Sequence, residues 1–179
     1  MEHVIVERRL TVPVTPAGVQ DLEAKGMLCL QTNRVRHLRT YLAAGGLQMV
    51  CEFGAPDAEA VRRAIRQLAL PAERIWKGAV LQPPTGGAAK TDPNLELVVV
   101  ERSFREPVLF EALQARENAG AWCLDLHRVH FLRTYFSADR CRMICLYEAP
   151  DAESVRRAQK QIEMPLDDVW MAELVEGLG

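Results

Sequence analysis

Along the first stretch of the chain, Val4, Val6 and Leu10 interleave with Ile5, Glu7 and Arg9, a period of two that predicts a strand with one mixed face. Thr15 before Pro16 then predicts a helix start, since threonine caps free amides and proline sits where no donor is needed. The stripe Val19, Leu22, Gly26, Cys29 carries that helix towards Thr32-Asn33. β-Branched and aromatic residues return over Val35–Leu42, Ala44-Gly45-Gly46 predicts a hairpin turn, and Leu47–Phe53 predicts the next strand. Asp57 caps a second helix with a buried stripe of Val61, Ala64, Ile65 and Leu68, Pro71 closes it, and Ile75–Leu81 predicts a last strand.

The same pattern then recurs. Ala55-Pro56-Asp57-Ala58-Glu59-Ala60-Val61-Arg62-Arg63-Ala64 returns as Ala149-Pro150-Asp151-Ala152-Glu153-Ser154-Val155-Arg156-Arg157-Ala158, and the register extends without a gap from Val4 with Val98 to Leu81 with Val175. The chain is a tandem duplication. In the second copy the pattern predicts a strand at Leu95–Phe104, a helix at Val108–Leu124, strands at Val129–Phe136 and Arg142–Tyr147, a helix at Asp151–Met164 and a strand at Val169–Leu174. Gly26 and Gly120 fall at one equivalent position, which predicts close helix packing or a break there.

Each copy thus reads β-α-β-β-α-β, the ferredoxin-like order, and the fold class is α+β. The expected modules are residues 1–81 and 95–179, joined by a Pro/Gly-rich linker at 82–94. A sheet with both helices on one face leaves the other bare, so the expected architecture is an intramolecular pseudo-dimer resembling a dimeric α/β barrel, with further homodimerisation as an alternative.

The 179 residues carry a net charge of −2, which gives no electrostatic case for nucleic acid or an anionic membrane. Five cysteines without a CxxC pair read as reduced thiols, and no signal core or spanning apolar run is seen, so a soluble cytoplasmic protein is expected. No phosphate-binding glycine loop is present and no nucleotide cofactor is expected.

Candidate chemistry follows from the strand phases. Glu7 and Glu101 lie opposite in phase to the valines of their strands, where burial would suit an acid or base; a salt bridge or solvated rim position is the alternative. Arg39 precedes Tyr41 by two residues, as Arg133 precedes Tyr135, so each pair faces one way and could hold an anion or carbonyl, or the arginines could pair with Glu7 and Glu101. His37 is expected on the Arg39–Tyr41 face, with Phe131 as its counterpart. His127 and His130 flank a helix-to-strand passage and could converge on a metal together with Glu148 or Cys145, although surface histidines and a packed cysteine are the plainer readings. Trp76 and Trp170 match and are expected as anchors.

The run Tyr147-Glu148-Ala149-Pro150-Asp151-Ala152-Glu153-Ser154-Val155-Arg156, preceded by Cys145 and followed by Pro165, resembles the signature of a family of small bacterial nickel-binding or nickel-responsive proteins, as do Glu7-Arg8, Tyr41, Glu101-Arg102 and Tyr135. That resemblance implies a ferredoxin-like module that dimerises into a barrel, and nickel or another divalent transition metal as ligand. Members commonly carry a histidine after the Val-Arg pair, where this chain has Ala64-Ile65 and Ala158-Gln159. Three functions are therefore expected to compete: a metal-binding protein using His37, His127, His130, Glu148 and Cys145; an isomerase, cyclase or lyase acting on a small molecule through Glu7, Glu101, Arg39, Arg133, Tyr41 and Tyr135; or a non-catalytic pseudo-dimer.

Overall fold

The computed structural model describes residues 1–82 and 92–179. Most of the expected linker, residues 83–91, lies outside the described residues. The chain forms two compact units: residues 1–78 with 173–179, and residues 79–172.

In the first unit, β1 (Glu2–Arg9), β2 (Arg36–Ala43), β3 (Gln48–Ala55) and β4 (Arg74–Leu81, of which Arg74–Gly78 belong to this unit) alternate with α1 (Pro16–Thr32) and α2 (Ala58–Gln67). β1 is flanked by β3 and β4, and β3 also pairs with β2, all antiparallel. Thr15 accepts from the Gly18 amide at 3.1 Å and Asp57 from the Ala60 amide at 2.7 Å, so both helix starts are capped where the sequence places the caps. Val4 and Val6 of β1 and Met49, Cys51 and Phe53 of β3 share one core with Val19 and Leu30 of α1 and Val61 and Ile65 of α2. Val175, from the end of the chain, completes it.

The second unit contains β5 (Glu96–Ser103), α3 (Phe110–Ala119), α4 (Ala121–Leu126), β6 (His130–Ser137), β7 (Arg142–Ala149) and α5 (Ala152–Gln161), with β8 (Asp168–Glu176) entering it from Asp168 to Ala172. β5 is flanked by β7 and β8, and β7 pairs with β6, reproducing the first unit's order. Both repeats are α+β, and the first has the expected succession of elements.

The glycine expectation resolves differently in each repeat. α1 runs unbroken through Gly26, where a Cβ would lie 2.9 Å from Leu68 Cδ1. The single helix expected over Val108–Leu124 is instead two helices, because Gly120 ends α3 and starts α4, and a Cβ there would sit 2.1 Å from Ile162 Cγ2. α3 also starts at Leu109 without a side-chain cap.

A second departure concerns β2. His37 pairs with Phe53 and Arg39 with Glu52, so one extra residue, Leu38, bulges out and the side-chain alternation shifts. His37 therefore falls on the helix-side face with Thr40, and not with Arg39 and Tyr41 as the two-residue period predicts. β6 carries the same bulge between Phe131 and Arg133.

Candidate functional site

The bulge in β2 aims His37 at α1, and a chain of polar side chains results. Glu23 Oε2 lies 2.7 Å from His37 Nδ1, His37 Nε2 lies 2.8 Å from Thr40 Oγ1, and the Thr40 hydroxyl donates to Cys51 Sγ at 3.1 Å. A carboxylate only accepts, so Nδ1 carries a proton towards Glu23. The second oxygen, Oε1, accepts from the Leu178 amide at 2.9 Å, which fixes the carboxylate from the chain's last residues.

This chain borders a cavity of about 330 Å³ between the sheet and the two helices of the first unit. Val19, Leu30, Met49, Phe53, Ile65 and Leu68 make its walls largely apolar, while Glu23, His37, Thr40 and Cys51 form one polar edge. Arg8 also reaches it. Only 5% of Arg8 is exposed, and its guanidinium donates to the Pro71 carbonyl.

The equivalent positions of the second unit are filled differently. Arg102, matching Arg8, donates to Gln159 Oε1 at 2.8 Å and to the Tyr147 hydroxyl at 3.2 Å, and Tyr147 donates to Glu117 Oε1 at 2.6 Å. The first unit has Ile65 and Phe53 where these partners stand, so Arg8 lacks both acceptors. Burial pushes the Tyr147 phenol well above its ordinary range, and the Glu117 carboxylate acts the same way. Thr134 still donates to Cys145 at 3.2 Å, yet Phe131 replaces the imidazole, and burial pushes the Cys145 thiol up.

The carboxylates singled out in the sequence lie on the other sheet faces. Glu7 is buried and accepts from the Trp76 indole at 2.6 Å. Glu101, 3% exposed, accepts from Trp170 at 2.9 Å and from Arg142 at 2.6 Å, and Arg142 also bonds Ser103 and Asp167. Trp76 and Trp170 thus anchor matching carboxylates. Arg39 Nε approaches Glu52 Oε2 at 3.2 Å, and the other oxygen of Glu52 lies 2.7 Å from His3 Nδ1. Arg133 donates to the Tyr135 hydroxyl at 3.3 Å and lies over the same ring, so those two share a side, and with its amide flipped Gln82 accepts from Arg133 at 2.9 Å. Tyr41 and Tyr135 are buried.

The other metal candidates belong to the second unit, while His37 belongs to the first. The backbone does turn at Arg128, where φ is 55°, but His127 Nε2 is bonded to Gln161 at 3.0 Å and His130 is exposed at the start of β6. Glu148 is buried directly across from His130 in the sheet. Among the described residues, no three His, Cys, Asp or Glu side chains gather so as to hold a metal ion. No helix among them is long and apolar enough to cross a membrane.

The sequence assigns no role to Glu23 or Thr40 and marks Arg8 only as part of the family signature. The available signal was a set of differences between otherwise matched repeats: His37 against Phe131, Phe53 against Tyr147 and Ile65 against Gln159. In the first repeat all three positions lie on one cavity.

The family described as "Nickel responsive protein SCO4226-like" matches residues 5–77 and again 99–171. No curated protein matches the sequence. Among solved structures, a variant chlorite dismutase from Candidatus Nitrospira defluvii in complex with cyanide is similar at a TM-score of 0.53 and 11% identity, over 96% of this chain and 89% of that one. A heme-binding protein from Thermus thermophilus is similar at 0.50 and 11% identity, over 99% of this chain and 91% of that one. At such identities the likeness concerns the fold.

Proposed function

We propose a ligand-binding role for this chain, which belongs to the nickel-responsive SCO4226-like family through both of its repeats. The ligand is a small, mostly apolar molecule with one carbonyl or carboxylate oxygen, held in the cavity of the first unit. One observation carries this reading: Arg8 is buried at an apolar cavity, and the two side chains that satisfy its counterpart Arg102 are replaced there by Phe53 and Ile65. A buried guanidinium holds several donors in a fixed fork and favours a planar oxygen acceptor. The volume of about 330 Å³ falls at the small end of ligand pockets, which suits a compact molecule.

Nickel is the finer reading that the family description suggests. The residues present do not fit a resident nickel ion: His37 commits both ring nitrogens, and one nitrogen each of His3 and His127 is bonded to another side chain. The same commitment of His37 argues against an axial ligand for haem, which the similar Thermus protein binds. No step is derived through either group. The ion pair of Glu101 with Arg142 favours fastening over acid–base work in the second unit.

The test is displacement of an apolar fluorescent probe by short aliphatic or aromatic acids and ketones. Saturable displacement that is lost in Ile65→Gln supports the reading. Binding that is absent, or unchanged by Ile65→Gln, overturns it.

A further inference from the structure

We propose that Cys51 is a nucleophilic thiol, activated through Thr40 and His37, that adds to an α,β-unsaturated carbonyl compound held in the first unit's cavity. The identity of the ligand class rests on the cavity reading; the reactivity of the thiol does not.

With Nδ1–H donating to Glu23, the remaining hydrogens of the polar chain have two arrangements. In one, the thiol donates to the Thr40 hydroxyl and that hydroxyl donates to His37 Nε2. In the other, Nε2–H donates to the hydroxyl, which donates to a thiolate. The two differ by shifting two hydrogens along contacts of 2.8 Å and 3.1 Å. Glu23 stabilises the imidazolium so formed, which makes it a positioning residue for His37. Its own orientation is held by the Leu178 amide.

Sulfur in this position faces a largely apolar space that Arg8 also lines. An electrophile needs an apolar body, an oxygen for the guanidinium and a carbon that a soft nucleophile attacks. A conjugated enone meets all three requirements. The Sγ–H bond breaks and an Sγ–C bond forms at the β-carbon; the alkene π pair moves to the carbonyl as an enolate. The thiol proton passes through the Thr40 hydroxyl to Nε2 and returns to the α-carbon. No oxidant or reductant is required.

The second repeat supplies an internal control. Cys145 keeps its threonine but faces Phe131 instead of an imidazole, and burial holds it as the thiol.

The experiment incubates the full chain with cyclohex-2-enone and, separately, with iodoacetamide, then measures adduct formation cysteine by cysteine by peptide mass spectrometry. Cys51 should gain one enone and react with either reagent on the order of 100-fold faster than Cys145. In His37→Phe, which installs the residue the second repeat already accommodates, the Cys51 rate should fall to the level of Cys145. Thr40→Val should lose the rate and Thr40→Ser restore it, which separates proton transfer from packing.

The charged groups lining the same cavity are Arg8 and Arg9 from β1, Glu23 from α1 and His37 from β2, while α2 brings Ile65 and its cap Leu68. Rates equal to Cys145, or indifference to both His37→Phe and Thr40→Val, overturn the proposal. Fast iodoacetamide reaction at Cys51 without an enone adduct overturns the ligand class and sustains the activated thiol.

Discussion

The phenol of Tyr147 donates to Glu117 Oε1 at 2.6 Å, while the matching Phe53 lies with its ring 5.3 Å from that of His37. This hydroxyl, together with Gln159 in place of Ile65, distinguishes the second repeat's polar network from the first repeat's apolar cavity. Replacing Tyr147 by Phe removes the donor to a buried carboxylate. The expected loss is about 1–3 kcal/mol of unfolding free energy, read from urea midpoints.

The same phenol sets an alkaline limit. Burial, then Glu117, raises its ionisation above the ordinary value, so the native state keeps a proton that the unfolded chain releases. That contribution is complete below about pH 10 and declines as pH rises beyond it, by up to about 1.4 kcal/mol per pH unit. Cys145 adds a decline of the same sign from the ordinary thiol range. Urea midpoints should therefore fall at alkaline pH, and less steeply in Tyr147→Phe.

Arg142 and Glu101 form a buried pair, whereas the first repeat has Gln48 at the position equivalent to Arg142 and keeps Glu7 at that of Glu101. Arg142→Gln should leave a buried carboxylate without its cation and cost about 3–5 kcal/mol. Chemical denaturation of the full chain checks it.

Gly120→Ala and Gly26→Ala should differ. The added carbon at Gly120 meets the branched Ile162 at 2.1 Å beside a helix break, so a loss of about 1–3 kcal/mol is expected. At Gly26 it meets the end of a flexible leucine at 2.9 Å, and the gain of about 1 kcal/mol in helix propensity largely offsets the contact. Thermal melts of the two variants decide.

Importing the second unit's network into the first tests the cavity directly. Phe53→Tyr with Ile65→Gln gives Arg8 the acceptors that Arg102 has. The double variant should fold with stability equal to or above that of the parent and lose binding of apolar probes.

The repeats and their elements were legible because caps, turns and apolar periods are local, and the caps agree between copies at Asp57 and Asp151. The face that His37 occupies was not. A bulge inserts one residue without a composition signal, and the alternation argument carries that error into every residue before it. Glu23 was equally hidden, since a carboxylate on an amphipathic helix reads as solvated until the strand opposite supplies an imidazole. Four of the five candidate metal ligands, His127, His130, Glu148 and Cys145, were drawn from the second repeat, which has more polar residues at the matched positions. In the folded chain many of those residues satisfy one another, as Arg102, Tyr147, Gln159 and Glu117 do, and the open space lies where they are missing.

Residues 173–179 belong to the first unit, where Val175 joins the core, Gly177 N–H donates to the Leu38 carbonyl at the bulge and Leu178 N–H to Glu23. During synthesis the first ~80 residues therefore emerge long before the segment that finishes them. At roughly 5–20 residues per second the wait is on the order of ten seconds. Until then Glu23 lacks the Leu178 contact, so the polar chain from Glu23 to Cys51 is completed only after residues 173–179 have been made.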